Sequence, residues 1–234
     1  QALESALSLF FRNNLSLLSC FSTQIIFSFS EWITVPLVNW FLLSFIPLRL
    51  IYTSRSHRLT AANGQFMMFD AGAYQRIGGH EKIKGALVED MALGILAKKQ
   101  GYRMATVLGK DAVTCRMYRT YKEAFIGLTK SFFPGMHFPG PVFILFLVWN
   151  ILVFLYPFIA FFYGSEYLIA IGIIIAQRAI VSWISQQSLI KNILLHPLQM
   201  VVLLMVGLAS LYRSKTKKII WKERNVSLAN PKTA

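Results

Sequence analysis

Val88-Glu89-Asp90-Met91-Ala92-Leu93-Gly94 opens a run whose apolar spacing predicts a helix over residues 89–100, with Val88, Met91, Ala92, Ile95 and Leu96 on one face. Gly101 ends it as a C-cap, just after Lys98 and Lys99, which complement the negative end of the helix dipole. Working outward, residues 60–133 mix charged residues, glycines and short alternating runs, the pattern of strands and helices in an α/β layer. Strands are predicted at 65–69, 102–108 and 112–117, and a short helix at 71–77. Tyr121, Ala124, Phe125, Leu128 and Phe132 mark a further amphipathic helix. Upstream, Leu3, Ala6, Leu7, Phe10 and Phe11 recur at helix spacing, and residues 15–21 read as a short buried strand.

The flanks are of a different character. Residues 25–52 are an apolar tract long enough to span a bilayer, but Glu31, Pro36, Asn39, Pro47, Trp32 and Trp40 interrupt it and Arg49, Arg55 and Arg58 close it. A helix lying in the membrane interface is the preferred reading over a true span. Pro134, Gly135, Pro139, Gly140 and Pro141 form a breaker cluster, making residues 134–141 a linker. Beyond it, residues 142–162, 167–185 and 193–211 each qualify by length as membrane helices. Residues 213–234 form a basic tail with Arg213, Lys215, Lys217, Lys218, Lys222 and Arg224, cytoplasmic by the positive-inside rule, as is the basic region before Pro134. Three full crossings would put the two on opposite sides. One segment is therefore expected not to span, unless the tail breaks the rule; Arg178 and Pro197 make the second and third segments the weaker ones.

Composition agrees with that division. Of 234 residues, 55% are hydrophobic and 15% charged, against about 25% charged in an ordinary soluble domain; mean hydropathy is +0.51. Disorder and a purely cytosolic globule are excluded. Lys and Arg number 24 and Asp and Glu 10, a net charge of +14. In so apolar a chain that charge suits the anionic face of a bilayer rather than a nucleic-acid groove. Cys20 and Cys115 have no metal spacing, and two cysteines make no multi-bridge framework, so a reducing compartment is expected.

Few residues are candidates for chemistry. Glu89 and Asp90 sit in a first helical turn, where acidic residues interact well with the dipole whether or not they do anything else. By the helical wheel Asp90 points away from the apolar face and Glu89 lies on its flank. A carboxylate at the mouth of an α/β cleft also suits a general base. Arg116 and Arg119 follow a predicted strand and precede a helix, a place from which guanidiniums clamp a diphosphate; near a membrane they serve equally as a lipid-facing pair. Gly78-Gly79-His80-Glu81 lacks phosphate-loop spacing and reads as a turn. His57, His80, His137 and His196 form no metal-ligand motif.

The order of these pieces says more than any one of them. Asn63-Gly64-Gln65-Phe66, Ala73-Tyr74, Ile77-Gly78-Gly79-His80-Glu81, Val88 to Gly94, Gly101-Tyr102-Arg103 and Arg116-Met117-Tyr118-Arg119 together resemble the second half of a family 2 glycosyltransferase domain of the GT-A fold. With the apolar segment before Asn63, the membrane segments and the closing Ile220-Trp221-Lys222-Glu223-Arg224, the chain looks most like bacterial membrane glycosyltransferases of the diaponeurosporenoate (carotenoid) and ceramide glucosyltransferase type. The implied fold class is α/β: residues 1–133 are the C-terminal part of a GT-A domain, followed by a transmembrane α-helical region over 142–212.

The resemblance implies roles. Asp90, preceded by Glu89, stands where the family has the base that deprotonates the acceptor hydroxyl for inverting attack on the sugar. Arg116 and Arg119 fall on the Gln/Arg-x-x-Arg-Trp motif bordering the donor diphosphate and the acceptor, with Thr120 in the Trp place. Gln65 and Phe66 are weaker candidates on the acceptor side. In the closing motif Glu223 replaces a small residue, and no catalytic role is carried over there. The family's nucleotide-binding half, with the Asp-x-Asp that holds Mg2+ or Mn2+, has no counterpart here. The chain is thus expected to be a fragment, inactive alone, with an Asp-x-Asp just upstream of Gln1.

The implied function is hexose transfer from a nucleotide-diphosphate sugar to a lipid-soluble acceptor of carotenoid or glycolipid type. The enzyme would be a multi-pass protein of the cell membrane, its catalytic domain cytoplasmic and its partners membrane lipids, with no nucleic acid. A processive polysaccharide synthase of the same fold is the alternative, against which Thr120 argues; a non-catalytic transporter subunit or scaffold would leave the motif order as coincidence.

Overall fold

The computed structural model describes residues 1–216 and the backbone of 220–221 and 224–225. In chain order the elements begin with α1 (Ala2–Arg12), β1 (Leu17–Phe21), β2 (Thr23–Gln24), α2 (Phe29–Thr34), α3 (Pro36–Phe45), α4 (Leu48–Thr53) and β3 (Met67–Phe69). Next come α5 (Ala71–Arg76), α6 (Gly79–Lys82), α7 (Glu89–Lys99), β4 (Met104–Leu108), β5 (Thr114–Cys115) and α8 (Tyr121–Met136). The remainder is α9 (Gly140–Phe154), α10 (Tyr156–Ala160), α11 (Tyr167–Ile184), α12 (Leu189–Leu194), α13 (His196–Lys215) and an antiparallel pair, β6 (Ile220–Trp221) with β7 (Arg224–Asn225). Lys217, Lys218, Lys222 and Glu223 of the basic tail and closing motif lie outside the described residues. The chain forms two compact units: Gln1–Ile25 with Phe41–Cys115, and Ile26–Trp40 with the described residues from Arg116 on.

The first unit is built on β1, whose Leu-Leu-Ser-Cys-Phe is buried along its whole length, as in a strand covered on both faces. It lies between β3, antiparallel, and β4, parallel, in the order β3-β1-β4. Helices α4 and α7 contact β4, and α1 contacts β1. On α1 only Phe10 is buried, while Leu3 and Phe11 of the expected apolar face are 59% and 70% exposed. The strand expected at 112–117 shrinks to β5, paired with β2, because a turn at Gly109–Val113 uses its first residues: Ala112 N–H donates to Gly109 O at 2.9 Å and Lys110 has φ 43°.

Helix α7 ends as expected, with Gly101 at φ 82°, a conformation glycine adopts without strain. Its buried face is not the expected one. Leu93, Gly94, Ala97 and Lys98 are buried, while Met91, Ala92, Ile95 and Leu96 are only partly so. Gly94 permits this close approach, since a Cβ there would lie 2.8 Å from Thr60 Cγ2. Lys98 is drawn inward rather than serving the dipole: 4% exposed, its ammonium donates to Ile51 O at 2.8 Å and Leu59 O at 2.7 Å. Burial lowers its pKa. Lys98→Met is expected to strand both carbonyls and cost about 1–3 kcal/mol, measured as a lower midpoint in thermal unfolding. An unchanged midpoint would show that neither bond matters.

The single interfacial helix expected at 25–52 is instead three helices, α2, α3 and α4, with breaks just before Pro36 and at Ile46–Pro47, where proline lacks the N–H that continues a helix. Glu31, Thr34 and Asn39 are buried. Pro134, by contrast, does not break α8, which runs through it to Met136; Phe133 N–H donates to Ser210 Oγ of α13 at 2.9 Å.

In the second unit α13 packs against α8, α9 and α2. Phe143, Leu147 and Leu211 form a core that Phe132, Phe133 and Met136 join. Three stretches are long and apolar enough to cross a membrane: Gly140–Ala160, Tyr167–Ile184 and His196–Lys215. The third begins at His196, not at 193, because Ile193 belongs to the separate helix α12. Arg178, expected to weaken the second span, is 1% exposed and turned into the unit. Its Nε donates to Asn192 O at 3.3 Å and its guanidinium carbon lies 5.6 Å from the Trp40 ring centre. Intramembrane charges are tolerated in this way, facing protein rather than lipid.

Candidate active site

The residues singled out in the sequence divide between the units: Glu89, Asp90, Gln65 and Phe66 in the first, Arg116 and Arg119 in the second. Within the first, the loop at 63–66 crosses the carboxyl end of β1. Asn63 N–H donates to Ser19 Oγ at 2.8 Å, and Ser19 Oγ returns a bond to Asn63 O at 3.3 Å. Asn63 Oδ1 accepts Gln65 N–H at 3.0 Å, an Asx turn that fixes the loop. Gln65 Oε1 accepts from Ser22 Oγ and, at 3.5 Å, from Gln24 Nε2, both buried residues just past β1. Phe66 supplies its carbonyl to Cys20 N–H at 3.0 Å, so its part in the site is through the backbone.

Asp90 is bound to this same loop. Its Oδ2 accepts Gly64 N–H at 2.7 Å and its Oδ1 accepts Met91 N–H at 2.8 Å, so both carboxylate oxygens are oriented by backbone donors. Helix α7 has no side-chain cap at Val88, leaving first-turn donors to such a carboxylate. Asp90 is half-buried and Glu89 exposed. The structure thus brings Asp90 together with the Gly64–Gln65 loop at the carboxyl end of β1, where parallel strands of α/β sheets present ligands; Glu89 takes no part in that cluster.

In the second unit Arg116 is already engaged. Its Nη2 lies 2.7 Å from Oε1 of Glu31, whose side chain is 0% exposed, and its guanidinium carbon lies 4.8 Å from the Phe27 ring centre. Glu31 also accepts Phe27 N–H at 2.9 Å and Ser28 Oγ–H at 2.9 Å, while Ser28 Oγ accepts Glu31 N–H at 3.3 Å to start α2. Burial raises the Glu31 pKa, but the Arg116 bond, the Phe27 and Ser28 bonds and the Arg116 charge outweigh it and hold the carboxyl at about 2. The sequence treats Glu31 only as an interruption of an apolar tract; the signal for its role is Ser28-x-x-Glu31, a capping box.

A depressed carboxyl stabilises the fold fully above its ordinary value near 4.5, and that contribution is lost as pH falls toward 2. Glu31→Gln is therefore expected to flatten the acid limb of a melting-temperature profile across that window. Equal slopes in the two proteins would contradict the ion pair.

Thr120 caps α8: its Oγ accepts Glu123 N–H at 3.2 Å, and Glu123 Oε2 accepts Arg119 N–H at 3.0 Å. This second Ser/Thr-x-x-Glu start gives Thr120 a local role, since a short side chain with an acceptor oxygen caps a helix this way and an indole does not. The Arg119 guanidinium has no hydrogen-bond or ion-pair partner among the described residues. Tyr118 between the arginines is partly buried, and the desolvation pushes its pKa up to about 12 and keeps its phenol protonated. Among the described residues no three His, Cys, Asp or Glu side chains come together to hold a metal ion. Set against protein-family models, curated proteins and solved structures, the chain finds no match.

Proposed function

We propose that the chain is part of a membrane-bound inverting glycosyltransferase that moves a hexose from a nucleotide-diphosphate sugar to a lipid-soluble acceptor, with Asp90 as the general base. The reading is supported chiefly by one observation: Asp90 is bound by Gly64 N–H to the loop that closes the carboxyl end of β1, so two motifs 26 residues apart in sequence meet at one place. In the proposed reaction the acceptor hydroxyl gives its proton to Asp90 while its oxygen bonds to the anomeric carbon. The bond from that carbon to the diphosphate breaks, and the nucleoside diphosphate leaves with the electron pair.

Arg119 is the arginine assigned to the donor's phosphates, because Arg116 is committed to Glu31. The three stretches apolar enough to span a bilayer support a lipid-soluble acceptor, which would stay in the membrane while its hydroxyl reaches the base. Incubating membranes that carry the full-length gene product with radiolabelled UDP-sugars is expected to yield a labelled, chloroform-soluble lipid. Labelled insoluble polymer would replace this reading with a processive synthase, and no labelled product from any nucleotide sugar would end it.

A further inference from the structure

We propose that the first unit carries a second site, a pocket for a phosphate-bearing anion where α4 and α7 end. A cavity of about 350 Å³ opens there, lined by Tyr52, Ser54, Arg55, Lys98, Tyr102 and Arg103 among others, and no lining residue is acidic. Neither the Arg55 nor the Arg103 guanidinium has a hydrogen-bond or ion-pair partner among the described residues. Lys98 sets the sign of the floor. Its ammonium covers Ile51 O and Leu59 O, so the carbonyl end of α4, which would otherwise repel an anion, is met by a buried cation with a third N–H still to place. Tyr102 is a fixed wall, since its Oη accepts Arg76 Nε–H at 2.7 Å.

Two guanidinium forks and one ammonium match the several oxygens of a phosphate group better than any neutral ligand, and the volume suits a phosphate with a short ester arm. The site is separate from Asp90: Lys98 is eight residues further along α7, about 12 Å by helical rise. That chemistry comes from a lipid headgroup or from a soluble phosphate. Leu50 and Tyr52 on α4, 44% and 38% exposed, provide an apolar margin for the former.

The test is titration calorimetry on the full chain in detergent, with dihexanoyl phosphatidate, inorganic phosphate and dihexanoyl phosphatidylcholine as probes. Arg55→Gln with Arg103→Gln is expected to weaken phosphatidate binding at least tenfold. Arg12→Gln, an exposed arginine outside the pocket, should leave it within twofold. The paired lysine substitutions, which keep the charge without the fork, should fall between. Inorganic phosphate binding with the same dependence on the variants supports the site and makes the free anion sufficient; binding of phosphatidate alone supports it and assigns the lipid headgroup. No binding of either, an equal loss in Arg12→Gln, or phosphatidylcholine bound as tightly as phosphatidate would overturn it. Both arginines are exposed, so unchanged melting temperatures are expected to accompany the affinity losses.

Discussion

Asp90→Asn in the full-length protein is expected to lower the rate of sugar transfer by about 10²–10⁴-fold, the range that positioned general bases contribute. The substitution keeps the shape and one oxygen acceptor, and removes the ability to take a proton. It also turns an NH₂ group toward one of two backbone N–H donors, Gly64 or Met91, that now share the carboxylate. A stability loss of about 1–3 kcal/mol is therefore expected as well, and the kinetic measurement must be made on protein shown to be folded at the assay temperature. Glu89→Gln separates the two effects. Glu89 is exposed and outside the cluster, so its variant should transfer sugar within about threefold of the wild type. Folded Asp90→Asn protein working at the normal rate would remove Asp90 from the chemistry.

The largest loss of stability is expected from Trp40→Ala. Trp40 is 0% exposed, with the Phe154 ring edge-on at 5.1 Å, the His196 ring at 6.3 Å and the Arg178 guanidinium carbon at 5.6 Å. Its Nε1–H donates to Gln177 Oε1 at 3.2 Å. Truncating a buried tryptophan costs about 3–5 kcal/mol in lost contacts and residual cavity. The Arg178 guanidinium would in addition lose its aromatic face, worth up to about 2 kcal/mol when desolvated. For a chain of this size the first term alone lowers the unfolding temperature by about 6–20 °C, readable by thermal unfolding in detergent. Trp40→Phe keeps most of the packing and loses the N–H, so it should cost much less. A shift under 2 °C for the alanine variant would mean that these rings do not pack as described.

How much of this was legible depends on whether the signal was local. The ends of α7 were, because its acidic first turn and Gly101 are local signals; its buried face was not, since Lys98 enters the core only by meeting two carbonyls from residues 39 and 47 positions away. In the tract at 25–52 the two bends had a local signal in Pro36 and Pro47, whereas the burial of Glu31 and Asn39 did not, because it depends on partners distant in sequence. Thr120 starts a helix, which its spacing to Glu123 signals locally. In the candidate site, Asp90 and the Gly64–Gln65 loop could be named as separate motifs, but the bond between them spans 26 residues. Arg116 was legible as a candidate anion-binding residue, and its partner was not, because nothing local links position 116 to position 31.

That last pairing bears on how the protein is made. Glu31 leaves the ribosome 85 residues before Arg116. At about 5–20 residues per second, roughly 4–17 s of synthesis separate the two. Throughout that interval the nascent chain holds an acidic group in an apolar stretch without its counter-ion. The segment at Ile26–Trp40 must wait, in contact with water or with the insertion machinery, until the rest of its unit emerges.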